Sequence, residues 1–223
     1  MSQADTLRDI LSARHSCRAY RPDPVPAEVI AEVVRDAGRA PSWCNAQPWQ
    51  VVVTQGAQTE GFRNALLAEV DRAKPGADMP WPEGYPGVYG ERRRTCGFQL
   101  YEAVGIARED RAARAEQSMQ NYRLFGAPHV AIVHAEAALG PYGAMDTGGF
   151  VTTFLLAATA RGIGTIAQAS VAAYPDLIRA HFGLPETRHI LCAISFGYPD
   201  PDHPANQFRT ERAALDDILD LRG

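Results

Sequence analysis

Apolar and polar positions along the chain divide it into short elements separated by proline and glycine. Residues 5–13 predict a short helix with Leu7, Ile10 and Leu11 on one face. The prolines of "ARHSCRAYRPDPVP" then forbid a long helix. A second helix is predicted over 26–37: Pro26 suits the first helical position, Val29, Ile30, Val33, Val34 and Ala37 form an apolar face, and Gly38 ends it. "QVVVT" (50–54) reads as a β-branched strand. Residues 57–73 read as a helix, with Phe62, Leu66 and Val70 at four-residue spacing. Two further helices, 91–105 and 108–124, break near Gly105, and Gly126 and Pro128 stop the second. "HVAIVHA" (129–135) is a strand. Residues 146–162 are apolar nearly all round, the pattern of a helix buried in a core, with Asp146 as its cap and Gly162 as its end. Gly148 and Gly149 weaken its first turn, as an ordinary helix start or as places where something packs close to backbone. "GTIAQAS" predicts a strand, 174–182 a short helix and 189–199 a strong strand, and 200–223 is polar and then weakly helical. Few strands, far apart in sequence, suit an α+β sheet wrapped by helices in one domain over 1–223.

Two stretches fit no element. "PSWCNAQPW", Pro41 to Trp49, is closed at both ends by proline and carries two of the three tryptophans around two amides. Residues 75–90 hold four prolines and four glycines with Trp81, Tyr85 and Tyr89, the make-up of a lid or binding loop.

Composition narrows the function. The 223 residues are 46% apolar and 22% charged, ordinary for a globular protein, and the net charge of −4 comes without a basic stripe, which argues against nucleic acid. The polar, acidic start does not read as a leader, and no apolar run approaches the roughly 18 residues of a membrane span. Four scattered cysteines without a CxxC read as free thiols in a reducing compartment, so the cytoplasm is expected. The six histidines show no metal-binding spacing.

The strongest chemical signal is "RHSCR". In an extended segment Arg14, Ser16 and Arg18 project from one side. Two guanidiniums and a hydroxyl on one point suit a phosphate, with a solvated charge cluster as the alternative. No acidic residue lies within the segment. There is no P-loop, no GxSxG elbow and no complete dinucleotide fingerprint around "GIGT" (162–165). His134, within an apolar strand, reads as a satisfied structural histidine, and Cys192 as packing. Without an activated nucleophile or acid–base dyad, an enzyme of this kind leaves the chemistry to a cofactor. Asn45 and Gln47 match the mixed donor–acceptor edge of a ring such as flavin, or else cap backbone while Trp43 and Trp49 pack at an interface.

"RHSCRAYRPDPVP" before a helix, "APSWCNAQPWQVVV", and "GIGT" before "ILCAISFGYPD" together resemble the FMN-dependent nitroreductase family, in its nitroaromatic and nitrobenzoate reductase-like branch. The likeness runs from about Ile10 to Arg209. It implies a mostly antiparallel, mixed sheet flanked by helices in an intertwined homodimer, with FMN at the subunit interface. It further implies that Arg14, His15, Ser16 and Arg18 hold the FMN phosphate, Arg18 also reaching the pyrimidine edge. Pro41, Ser42, Asn45 and Gln47 would come from the partner subunit. The backbone at Ile166, Ala167 and Gln168 would lie near flavin N5, Arg209 (or its rival Arg212) would add to the phosphate site, and Gln99 or Arg92 to Arg94 would reach the flavin from the middle helices. His15 departs from the family's usual second arginine, where backbone contacts suffice.

The implied activity is hydride transfer from NADH or NADPH to a small electron-poor aromatic acceptor, a nitrobenzoate-like nitroaromatic or a quinone, with ping-pong kinetics and no essential side-chain acid. Trp81, Tyr85 and Tyr89 are the expected substrate walls, and 200–223 the segment that reaches the partner. Alternatives are a reductive dehalogenase or deiodinase-like enzyme, another flavin dehydrogenase of this fold, an FMN store or redox sensor, and a cofactor-free binding module.

Overall fold

The computed structural model describes residues 2–223. Helix α1 (Gln3–Ala13) starts at Ser2, whose Oγ accepts the Asp5 N–H at 3.1 Å while the Asp5 carboxylate accepts the Ser2 N–H at 3.1 Å. This reciprocal box satisfies two otherwise orphaned donors and holds the Asp5 carboxyl below its ordinary range. Helix α2 (Ala27–Ala37) follows, with Pro26 as its cap and not as its first residue. Then come β1 (Trp49–Val53), α3 (Ala57–Arg72), α4 (Val88–Ala103), α5 (Arg111–Met119), β2 (His129–Glu136), α6 (Gly140–Thr159), β3 (Gly164–Gln168), α7 (Pro175–Phe182) and β4 (Arg188–Gly197).

The strands form one sheet in the order β1-β2-β4-β3, each neighbouring pair antiparallel. Helices cover both faces. Ala131 and Val133 of β2 pack with Ile30 and Val33 of α2 and with Phe150 and Phe154 of α6. Val130 and Ile132 face the other way, against Phe62 and Leu66 of α3 and Ile178 of α7. A strand buried on both faces has no polar side to alternate with, which explains the apolar run over 130–133 within β2. A bulge between Val133 and His134 resets the register, so Ile190 of β4 turns to the α3 side while Ile194 and Phe196 face α6.

The segment after α1 is laid along the free edge of β3. Ser16 pairs with Thr165 in a parallel bridge, and the Cys17 N–H donates to the Thr165 carbonyl at 2.9 Å. The close approach depends on Gly164, where a Cβ would lie 2.8 Å from the Cys17 Sγ. Cys17 is fully buried beneath this extended stretch, while Ser16 and Arg18 on either side of it face a cavity that Arg14 and His15 also line.

Several expectations need correction. Helix α6 begins at Gly140, six residues early, so Asp146 does not cap it; its carboxylate instead accepts the Trp43 N–H at 3.0 Å. Nor is α6 buried all round: Thr147, Phe150, Phe154 and Ala158 face the core, but Tyr142 and Met145 are exposed. Within the chain Gly148 has nothing within 4 Å of a built Cβ, and Gly149 meets only Ala40. Helix α4 starts at Val88, so Tyr89 lies on a helix. Helix α5 stops at Met119, and Leu124 and Phe125 take positive φ in a 3₁₀ turn. The C-terminal tail has two 3₁₀ turns and no α-helix. His134 is buried but not satisfied: its Nδ1 has no partner, and burial, then Arg188, pushes its pKa down to about 4. The satisfied histidine is His129, whose Nδ1 lies 3.1 Å from the Thr54 carbonyl and whose Nε2 accepts the Val25 N–H at 2.8 Å. Cys192 keeps some exposed surface, yet burial of its thiol pushes the pKa up to about 12. Among the described residues no helix is long and apolar enough to cross a membrane.

Candidate active site

Arg14, His15, Ser16, Arg18, Arg209 and Arg212 line one cavity of about 360 Å³ between the extended segment and the tail, and no carboxylate lines it. Burial, then the neighbouring Arg212, lowers the pKa of Arg14. Burial also lowers that of Arg18, and its guanidinium lies 5.6 Å from the centre of the Phe208 ring. His15 is held below its ordinary value by burial, with Arg209, Arg14 and Arg18 pushing the same way. Its Nδ1 is 3.0 Å from the Ala13 carbonyl and so carries the proton, which leaves Nε2 as a buried lone pair without a partner. Four guanidiniums gathered without a counter-charge repel one another, and an entering anion relieves that repulsion. The donor set fits a phosphate, because each guanidinium offers a planar fork to its oxygens.

Asn206 clamps the tail to the extended segment. Its Oδ1 accepts the Arg18 N–H at 2.7 Å, and its Nδ2 donates to the carbonyls of Ala19 and Asp200 at 2.9 and 2.8 Å. Arg209, three residues later, donates to the Asn206 carbonyl at 2.7 Å. Sequence reasoning passed over Asn206 and Phe208, although both lie within the stretch "NQFR" that drew attention to Arg209.

Ser16 and Arg18 also belong to a second cavity, of about 320 Å³, so the cationic cradle and this slot meet. Tyr101 of α4, Gln117 of α5, Asn121, and the strand end at Ile166, Ala167 and Ser170 form its walls. The Gln168 side chain is fully engaged: its amide donates to the Asn121 carbonyl at 2.8 Å and its Oε1 accepts the Ser195 hydroxyl at 2.5 Å. Only its backbone is left for a ligand. Ser170 has a buried hydroxyl without a partner. Neither it nor the residues from α4 and α5 carried a sequence signal, because a lone Ser, Gln or Tyr matches no local motif.

Gln99 lies elsewhere. It lines a groove of about 530 Å³ between α4 and the tail, which shares Cys96 and Arg212 with the cradle, and its Oε1 is buried and unpartnered. Arg92 lines the same groove, 3.9 Å from Asp217, while Arg93 stacks on Tyr85 at 5.3 Å.

Pro41, Ser42, Asn45 and Gln47 line none of these three cavities. Their loop is nonetheless fixed. Cys44, Asn45 and Gln47 take φ of 52°, 55° and 48°, a region costly to residues with a Cβ and tolerated best by asparagine. The Ser42 Oγ accepts the Gln47 N–H at 2.9 Å, Asp146 holds Trp43, and Trp49 stacks on Phe150 at 5.5 Å. Trp43 does not frame the loop from within: it is exposed, edge-on to the exposed Tyr142 at 4.5 Å. Trp81, Tyr85 and Tyr89 are exposed and line none of the three cavities. Among the described residues no three His, Cys, Asp or Glu side chains are placed to hold a metal ion.

Comparison with known proteins gives a consistent result. The family model described as "Nitroreductase family" matches residues 11–198. The chain is 38% identical to nitroreductase NfnB of Mycolicibacterium smegmatis over 95% of this chain and 91% of that protein. It is 34% identical to a 4-nitrobenzoate reductase of a Nocardioides species, over 93% and 86%. The crystal structure of the FMN-dependent NfnB of Mycobacterium smegmatis in complex with NADPH superposes with a TM-score of 0.95 at 37% identity, covering all of both chains. The extended segment, the flanking helices and the four-stranded sheet described above thus recur together, and the chain belongs to the nitroreductase family.

Proposed function

We propose that the protein is a cytoplasmic, homodimeric FMN oxidoreductase that uses NADH or NADPH to reduce an electron-poor aromatic acceptor, a nitrobenzoate-like nitroaromatic or a quinone. The observation that carries this reading is the carboxylate-free cradle of Arg14, Ser16, Arg18, Arg209 and Arg212, which meets a slot walled by the end of β3. Relatives named as FMN- and NADPH-dependent nitroreductases and as 4-nitrobenzoate reductases support it.

When bound, FMN supplies the redox chemistry between the nicotinamide and the acceptor. The protein's own part is to bind and orient. Arg14, Ser16, Arg209 and Arg212 would grip the phosphate, and His15 would contribute through its backbone. Arg18 sits where cradle and slot meet, so its charge stabilises negative charge that develops on a ring in the slot. The backbone at Ile166, Ala167 and Gln168 lines the ring, with the Gln168 side chain held away from it by Asn121 and Ser195. Gln99 reaches the same ligand from the adjoining groove. Trp81, Tyr85 and Tyr89 line the acceptor's approach.

The dimer is supported by what one chain leaves uncovered. Tyr142, Met145, Gly148 and Thr152 form a stripe along the outer face of α6, weakly polar and exposed. Leu7 and Leu11 of α1 are about half exposed, and the tail exposes Leu215, Ile218, Leu219 and Leu221. Exposed large apolar side chains on these elements are the kind of surface a subunit interface covers. Gly148 lets a second α6 approach closely, and the strained loop of Pro41, Ser42, Asn45 and Gln47 serves the partner's flavin, which accounts for its absence from its own chain's cavities. The chain acts as one unit over 1–223, with 200–223 reaching the partner.

The test is an anaerobic absorption experiment on the protein as purified. A flavin spectrum that NADPH or NADH bleaches and 4-nitrobenzoate restores supports the reading. A colourless protein that ignores added FMN refutes it, and a flavin that no nicotinamide reduces makes the protein a store. Light scattering that gives one chain's mass would refute the dimer.

A further inference from the structure

Ser195 lies in β4 between Ile194 and Phe196, fully buried, and lines none of the three cavities. A hydroxyl in such apolar surroundings costs stability unless it is bonded. Its bond runs to the site: the Oγ donates to the Gln168 Oε1 at 2.5 Å, and the Gln168 amide passes the link on to the Asn121 carbonyl at 2.8 Å. Gln168 and Asn121 stand on different walls of the slot, the end of β3 and the turn after α5. The buried amide therefore ties those walls to each other and, through Ser195, to the middle of the sheet. The wall at β3 needs such an anchor because β3 is an edge strand. Thr165 turns its carbonyl to the outer edge, where it accepts the Cys17 N–H. Ala167, two residues on, turns its backbone to the same edge, and it is exposed and lines the slot. Among the described residues the extended segment bridges this edge only at Thr165. We infer that Ser195 is a positioning residue for the flavin ring: through Gln168 it holds the backbone at Ala167 and the Asn121 wall at the spacing the ring requires.

This inference rests on the FMN reading above. Backbone dipoles fixed before a ligand arrives stabilise charge developing on it without reorganising. Loosening Gln168 weakens the grip on the ring, and most of all on the reduced ring, which carries the extra negative charge. The potential of bound flavin then falls. The role is separate from that of the arginine cradle, which Ser195 Oγ does not touch.

The experiment compares the parent with Ser195→Ala, Gln168→Met and the double variant. Gln168→Met keeps the backbone and the length of the side chain but loses the amide. Three quantities are measured: the two-electron potential of bound FMN against a reference dye, the affinities of apoprotein for FMN and for riboflavin, which lacks the phosphate, and the melting temperature. In Ser195→Ala the preference for reduced over oxidised flavin should fall about tenfold, a drop of about 30 mV for a two-electron couple. FMN and riboflavin should weaken by the same factor, since the cradle is intact. Gln168→Met should do the same, and adding Ser195→Ala to it should lower the potential no further, because residues that act as one unit are not additive. A lower melting temperature with unchanged potential and unchanged riboflavin affinity overturns the inference, because the hydroxyl is then merely structural. Additive shifts in potential also overturn it, since Ser195 would then act by a route other than Gln168. So does a loss of FMN affinity alone, which would assign the residue to the cradle. Should Ser195→Ala not fold, Ser195→Cys leaves Gln168 a weaker donor and should lower the potential in the same direction, and no change there overturns the inference equally. If the parent itself takes up no FMN, the proposed function fails first and this inference with it.

Discussion

Asn206→Ala should damage stability and cofactor binding together. The side chain is only 5% exposed and makes three hydrogen bonds, to the Arg18 N–H and to the carbonyls of Ala19 and Asp200. At a net value of about 1 kcal/mol each, their loss costs about 3 kcal/mol, and the three stranded backbone groups oppose any recovery. For a chain of this size that is a drop of about 6–12 °C in the apoprotein melting temperature. The same clamp aligns Arg18 and, through the Asn206 carbonyl, Arg209. With the tail loosened, part of the FMN binding energy goes into reordering it, and affinity should fall about tenfold. Asn206→Asp keeps an acceptor for Arg18 but cannot donate to the two carbonyls, so it should recover only the Arg18 share. Denaturant unfolding of apoprotein and fluorescence titration with FMN measure the two effects. A loss of under about 1 kcal/mol would refute the hydrogen-bond count. A full loss of stability with unchanged FMN affinity would refute the claim that the clamp preorganises the cradle.

Three more outcomes follow from particular residues. His134 has its pKa lowered by burial to about 4 from 6.5, so its contribution is complete above about pH 6.5 and is lost as pH falls towards 4, up to about 3 kcal/mol; His134→Leu should flatten unfolding free energy against pH in that window, and an unchanged slope would contradict the burial argument. Gly90→Ala places a Cβ 2.5 Å from the Tyr85 carbonyl and must shift the irregular segment before α4; kcat/KM for nitroaromatics should change while FMN affinity holds, and no change in either would remove that segment from the acceptor's path. Gln47→Gly relieves a φ of 48° and should stabilise the apoprotein by about 0.5–1 kcal/mol while FMN is held more loosely; FMN retained as before would show that the amide is not a flavin contact.

How far the sequence could be read depended on where each signal lay. The extended, proline-limited segment with arginines at alternate positions was legible because period-two geometry follows from chain chemistry alone; the structure brings Arg14, Ser16 and Arg18 to one cavity, with His15 between them lining it too. The strands stood out because two-sided burial leaves runs such as that of β2. Helix ends were less legible. Helix α6 gains six residues because Gly140 and Pro141 can begin a helix as well as precede one, and Asp146 is used by Trp43 across 103 positions of sequence. The same distance problem hid Asn206, whose partner Arg18 lies 188 residues away. Apolarity around α6 was read as burial within one chain, whereas its outer stripe is uncovered. The slot's walls on α4 and α5 carried no signal, since no local pattern tells a pocket-lining Tyr101 or Gln117 from a surface one.

The central claim is that the arginine cradle exists to hold the phosphate of FMN. Its most direct test is the affinity of apoprotein for FMN against riboflavin, which differ only in that phosphate. Two or more charge-assisted bonds at about 1.5–3 kcal/mol each predict that FMN binds at least 100-fold more tightly, and that Arg14→Gln erases much of the ratio while leaving riboflavin binding little changed. Equal affinities for FMN and riboflavin in the parent protein would contradict the account.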